Sequence, residues 1–221
     1  TMLRVRRARS RSQLRALLEL YPGEIRGIGE LMSHHDDLTA LTYGEQPHAD
    51  HPAMLEIYDL AAEYNLPVLI HHNISGVNLD DPIYLSEMQN ALAHNRKTNI
   101  IWAHVGISRR VTISNLTGIA DMMLSQNPNL YYDISWVVYD DDIAKDGASL
   151  KSWASLIEKY PERFILGSDT VGHWANYAAT ITRYEPLIAL LKPETAQNLC
   201  SDNILRLVDP EAVETSLEPA A

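Results

Sequence analysis

Five short apolar runs, each cut off by a side chain able to bind a metal or carry a proton, recur along this chain and restrict what it can fold into. They end at Glu30, His71, His104, Asp133 and Asp169, in Ile25-Arg26-Gly27-Ile28-Gly29-Glu30, Leu66-Pro67-Val68-Leu69-Ile70-His71, Asn99-Ile100-Ile101-Trp102-Ala103-His104, Leu130-Tyr131-Tyr132-Asp133 and Phe164-Ile165-Leu166-Gly167-Ser168-Asp169. Runs this short, apolar on both faces and bounded by turn residues, read as buried parallel strands. The gaps between their ends are 41, 33, 29 and 36 residues. A right-handed crossover between parallel strands takes about 30 residues or more, so each gap holds one strand and one helix.

Apolar periodicity fills the gaps. Leu14, Leu17 and Leu18 mark a first helix; Met54, Ile57, Leu60 and Ala61 follow Pro52; Leu85, Met88 and Leu92 follow Asp80-Asp81-Pro82. Leu116, Ile119, Met122 and Met123 mark another, Leu150, Trp153, Leu156 and Ile157 the next, and a last helix runs from about Pro193 to Leu207. Residues 31–51 hold His34, His35, Asp36, Asp37, Gly44, His48 and His51 with little periodicity and read as a long loop above a strand end. Such a β/α alternation builds either a closed barrel or an open, doubly wound sheet. No Gly-x-Gly-x-x-Gly follows the first strand, and chemistry-bearing groups stand at every strand end, whereas an open sheet concentrates them at one switch point. The expectation is an α/β chain of (β/α)8 TIM-barrel type, one domain over residues 1–221, with a helix in residues 1–23 and a flexible tail from 209 to 221. Five strand ends fall short of eight, so the barrel is expected to be incomplete at its N-terminal side, with room for one more strand near the start.

Charge and composition narrow the partners. A net charge of −11 opposes binding to a phosphate backbone, and the six arginines between Arg4 and Arg15 read as one solvated helix face ahead of a basic arm. No apolar run reaches the roughly 18 residues that cross a bilayer, and the start lacks the apolar core of a signal peptide. The single Cys200 excludes an intrachain disulfide and fits a reducing cytoplasm; beside Leu199 it reads as the buried side of a helix.

Imidazole and carboxylate together are what Zn2+ or Mn2+ takes as ligands, and in a barrel the ends of different strands converge. Glu30, His71, His104 and Asp169 are therefore a candidate metal set. His72, next along the strand, should face away. Arg109 and Arg110, just past His104, can clamp a carboxylate. Asp133, Trp136, Tyr139 and His173 are placed to line a substrate pocket.

These pieces, in their order and spacing, resemble the amidohydrolase superfamily of metal-dependent barrel enzymes, and within it the amidohydrolase-2 branch of hydrolases, lactonases and decarboxylases. The resemblance runs from about residue 24 to 208 and includes the closing Asn203-Ile204-Leu205-Arg206-Leu207. It implies that His71 binds metal, that His104 binds metal or polarises substrate, and that Asp169 binds metal and handles a proton from water; Glu30 is similar to a metal-binding glutamate of TatD-type phosphodiesterases. The implied activity is hydrolysis of a small organic acid, lactone, amide or ester, with Zn2+ ahead of Mn2+ and a homodimer compatible with the branch. Decarboxylation, a non-catalytic ligand-binding role and TatD-like phosphodiester cleavage are the alternatives. The family's first-strand His-x-His pair has no counterpart here, since His34 and His35 are adjacent. The chain is therefore expected either to lack the first one or two units or to replace the missing ligands from the loop, by His34, His35, Asp36, Asp37, His48 or His51.

Overall fold

The structure, a computed structural model, describes residues 2–3, 11–35, 38–39, 44, 46–170, 172 and 174–212. Among these residues six parallel strands form one sheet: β1 (Met2–Leu3), β2 (Gly27–Met32), β3 (Val68–His71), β4 (Ile100–Trp102), β5 (Leu130–Asp133) and β6 (Phe164–Ile165). Each strand pairs only with its sequence neighbours, in the order β1 to β6. A doubly wound sheet reverses direction at a switch point; among the described residues this one does not, and its six strands form the singly wound wall of an incomplete barrel. Met2–Leu3 supplies the extra strand near the start.

Helices alternate with the strands: α1 (Arg11–Leu20), α2 (Pro52–Glu63), α3 (Leu85–His94), α4 (Leu116–Gln126) and α5 (Gly147–Lys159), then the short α6 (Tyr177–Thr182), α7 (Glu185–Ile188), α8 (Pro193–Gln197) and α9 (Asn203–Val208). Pro52 opens α2 where its missing N–H costs nothing, and Asp146 caps α5 by accepting from the Ala148 and Ser149 N–H groups at 2.9 and 2.8 Å. Strand residues Val68, Ile70, Ile100, Trp102, Leu130, Tyr132 and Phe164 point outward under these helices and are fully buried. Their alternates Leu69, Ile101 and Ala103 face the barrel interior.

Several expectations need correction. α3 begins at Leu85, later than the Asp80-Asp81-Pro82 signal, because the Asp80 carboxylate accepts from the backbone N–H (2.7 Å) and hydroxyl of Ser114. Cys200 is exposed: one turn of π-helix over Asn198–Asp202 buries Asn198 and Leu199 and swings the thiol outward. Among the described residues, the expected helix of the 1–23 stretch spans Arg11–Leu20; Arg11 and Arg15 pair with Glu63 of α2, and the other four arginines of that stretch lie outside the described residues. Most of the expected tail lies outside them too. No helix among the described residues is long and apolar enough to cross a membrane.

Candidate metal centre

Three strand ends bring Glu30, His71 and His104 together, with one donor atom from each mutually within 4.8 Å. Glu30 Oε1 stands 3.5 Å from His71 Nδ1 and 3.8 Å from His104 Nε2. Both separations are too long for good hydrogen bonds, and Glu30 Oε1 is buried with no hydrogen-bond partner among the described residues. Ligand atoms about 2.0–2.2 Å from a tetrahedral ion lie roughly 3.3–3.5 Å apart, so this spacing suits a shared cation.

The far nitrogen of each ring is already committed. His71 Nε2 donates to Asn73 Oδ1 at 3.0 Å, which leaves Nδ1 with its lone pair toward Glu30. His104 Nδ1 faces Asp133 Oδ2 at 3.2 Å and Ser135 Oγ at 3.0 Å, which leaves Nε2 toward Glu30. An outer acceptor that fixes the tautomer of a ligating imidazole is the arrangement metal sites use. Asp133 is itself fixed, accepting from the Ser135 hydroxyl (2.6 Å) and from the backbone N–H groups of Ser135 (3.2 Å) and His104 (3.3 Å).

Charge follows burial and neighbours. Burial raises the Glu30 carboxyl, but His71 and His104 outweigh it and hold Glu30 below the ordinary range. Burial lowers His104, yet the hydrogen bond and charge of Asp133, with the charges of Asp169 and Glu30, carry it above its usual value. Asp169 is raised, first by burial and then by the nearby carboxylates Glu30 and Asp133. It lines the same cavity of about 230 Å³ as Glu30, His104, Asp133 and Ser135, over an apolar floor of Leu69, Ile101 and Ile165, without joining the three donors that lie within 4.8 Å. A wider depression of about 390 Å³ among Arg11, Glu63 and Asn95 lies on the helical exterior, away from the strand ends.

Backbone strain gathers at the same rim. His104, Val105, Trp136 and Asp169 have φ of 55°, 53°, 62° and 46°, the left-handed region that non-glycine residues rarely adopt. Trp136 stands over the centre, its ring 5.0 Å from His104 and 6.1 Å from His71, and the Arg109 guanidinium lies 4.8 Å above Trp136. Arg110 meets Asn78, whose N–H its carbonyl accepts at 2.9 Å. Tyr139 does not line the cavity: it is buried, its ring 4.2 Å from that of Tyr184 and its hydroxyl donating to the Arg183 carbonyl at 2.8 Å. His173 lies outside the described residues. His72 turns away, its Nε2 donating to the Tyr84 carbonyl at 3.0 Å and its Nδ1 3.0 Å from Ser33 Oγ; burial pushes its pKa down to about 3.

Ser135, two positions after Asp133, was not singled out by sequence. His35, a candidate replacement ligand in the sequence, instead stacks on His71 at 4.1 Å. The two-residue period was the available signal for Ser135, and for Asn73 after His71. His34 and His48 gather at Glu87, apart from the Glu30 group.

Among solved structures the chain is similar to dihydroorotase from Campylobacter jejuni, with a TM-score of 0.64 at 16% identity over 100% of this chain and 65% of that one. It also resembles an amidohydrolase from Burkholderia multivorans with bound zinc (TM-score 0.59, 13% identity, 93% of this chain and 72% of that one). A third is a probable 2-pyrone-4,6-dicarboxylic acid hydrolase from Acinetobacter baumannii with citric acid bound (TM-score 0.56, 12% identity, 94% and 72%). These likenesses carry the barrel fold, and the chain spans just under two thirds of the dihydroorotase's length. Among curated proteins none matches the sequence. The amidohydrolase family model matches residues 28–209, a span that contains Glu30, His71, His104 and Asp169, and the chain therefore belongs to the amidohydrolase family.

Proposed function

We propose that the protein is a metal-dependent hydrolase acting on a small organic acid, lactone, amide or ester. The observation that carries this reading is the convergence of Glu30 Oε1, His71 Nδ1 and His104 Nε2, with the opposite nitrogen of each ring already held by an acceptor. Glu30, His71 and His104 hold the ion in this reading, with Asp169 beside them. When bound, a divalent cation supplies the Lewis acidity that brings the pKa of water from about 15.7 toward about 7. Zn2+ is the first candidate because its preferred ligands are this mixture of imidazole and carboxylate.

The chain's own groups do the rest. Asp169, its pKa raised by burial, accepts a proton from the attacking water at its carboxylate and returns it to the leaving group. Asp133 holds the His104 ring by its Nδ1. Arg109, braced on Trp136, pairs with a substrate carboxylate at the mouth, and His35 and Trp136 roof the site against water. The substrate is a small molecule; the net charge of −11 argues against nucleic acid. The exposed free thiol of Cys200 fits a reducing cytoplasm.

The test compares chelator-stripped and Zn2+- or Mn2+-reconstituted protein on a panel of carboxylated lactones, amides and esters. Metal-dependent hydrolysis that disappears in His71→Asn is expected. Turnover indifferent to chelation, or a folded, metal-loaded protein inert on the whole panel, refutes the reading.

A further inference from the structure

A second cluster of potential ligands lies where His34 and His48 meet α3, and the proposed chemistry makes no use of it. Glu87, in the first turn of α3, is 9% exposed, an unusual place for a carboxylate without charge partners. Its Oε1 lies 3.1 Å from His34 Nε2 and 2.8 Å from His48 Nδ1, and these three donors are all within 4.8 Å of one another. Its Oε2 accepts the Ala49 N–H at 3.1 Å, which fixes the carboxylate. The His34 ring lies flat on Tyr84, 3.8 Å between centroids, and the His34 carbonyl accepts the Asn73 N–H at 2.8 Å. Two of the three ligands are thus held in place before any ion arrives. The His48 side chain is 58% exposed, which leaves a way in from solvent and room for a fourth ligand.

We propose that His34, His48 and Glu87 form a second divalent-cation site, of the zinc class, that clips the backbone at His34 and at His48 to α3. Zinc–ligand bonds of about 2.0–2.2 Å need donor separations of roughly 3.3–3.5 Å, so the His34 edge opens by about 0.2–0.4 Å and the His48 edge by about 0.5–0.7 Å, a shift the exposed His48 side chain can make. Without an ion Glu87 accepts from both rings; with one, each ring presents the lone pair of that nitrogen and carries its proton on the other. The site is structural in effect. His35, adjacent to His34, stacks on His71, so an ion here steadies the roof of the first centre.

Zn2+ titration of the metal-free full chain, with stoichiometry by elemental analysis after desalting, tests this without reference to turnover. The parent retains two ions, His48→Ala and the isosteric Glu87→Gln each retain one, His71→Asn retains one, and His48→Ala/His71→Asn retains none. Zn2+ slows hydrogen exchange of the amides of residues 33–35 and 48–49 in His71→Asn and leaves them unchanged in the double variant. His48 is at the surface, so its replacement leaves the fold intact. Equal ion content in the parent and His48→Ala overturns the second site, as does complete loss of metal in His71→Asn. Failure of the first centre alone shows differently: His71→Asn then matches the parent.

Discussion

Gly106 gives the sharpest test of how the barrel positions His104. The backbone leaves β4 through three successive left-handed residues, His104, Val105 and Gly106 (φ 55°, 53° and 77°), and this turn carries the imidazole over the strand ends. A Cβ at Gly106 would lie 2.6 Å and 2.9 Å from two carbons of the Trp102 ring and 3.1 Å from Ile74 Cβ. Trp102 cannot yield, because it is fully buried and its Nε1–H donates to the His72 carbonyl at 2.7 Å. Overpacking a tight core costs about 1–3 kcal/mol, and a left-handed alanine adds about 1 kcal/mol. Gly106→Ala should therefore lose about 2–4 kcal/mol, a fall in Tm of roughly 4–16 °C for a chain of this size. Gly147→Ala is the control: nothing lies within 4 Å of its Cβ at the start of α5, so its stability should stay level or rise by up to about 1 kcal/mol. Thermal melts of both variants under matched metal settle the matter. A Gly106→Ala melt within about 1 °C of the parent, or equal shifts in the two variants, refutes the packing described for this turn.

Three further outcomes follow from the same geometry. Asp133→Asn keeps the shape but loses the charge that holds the His104 ring, and should lower metal affinity or turnover about 10–100-fold in a chelator-competition or rate assay; a change under about twofold removes its positioning role. His72 stays neutral in the fold down to about pH 3, whereas the unfolded chain protonates it below about pH 6.5, so stability is lost as pH falls through that window. The loss from this group is about 2.7 kcal/mol by pH 4.5, and urea unfolding of His72→Gln should show a pH dependence shallower by about one proton; an unchanged slope contradicts the buried neutral ring. Arg109→Ala should raise KM for carboxylated substrates about tenfold with little change in kcat, and an equal effect on uncharged analogues would show that no carboxylate is clamped there.

Spacing and periodicity made the wall of the barrel legible, because a buried parallel strand needs an uninterrupted apolar run and each crossover needs its helix. The same two-residue period separates His71, facing the centre, from His72, buried against Tyr84 and Ser33. What stayed hidden depended on contacts distant in sequence. Glu87 looks like an ordinary first-turn acid until His34, 53 residues earlier, is folded against it. Cys200 shares its stretch with core residues, and only the π-turn over Asn198–Asp202 exposes it. Asp80 carries a helix-start signature but spends its carboxylate on Ser114. Met2–Leu3 is too short to show a period, and its place comes from pairing with Gly27–Ile28.

In the proposed enzyme the ends of β2 and β3 and the turn after β4 together hold one cation. Anomalous scattering at the zinc edge from crystals of the Zn2+-loaded protein measures it directly. A peak within about 2.0–2.2 Å of Glu30 Oε1, His71 Nδ1 and His104 Nε2 is expected, and is absent in His71→Asn. A map with no peak among those three atoms, from protein shown to carry zinc, contradicts it.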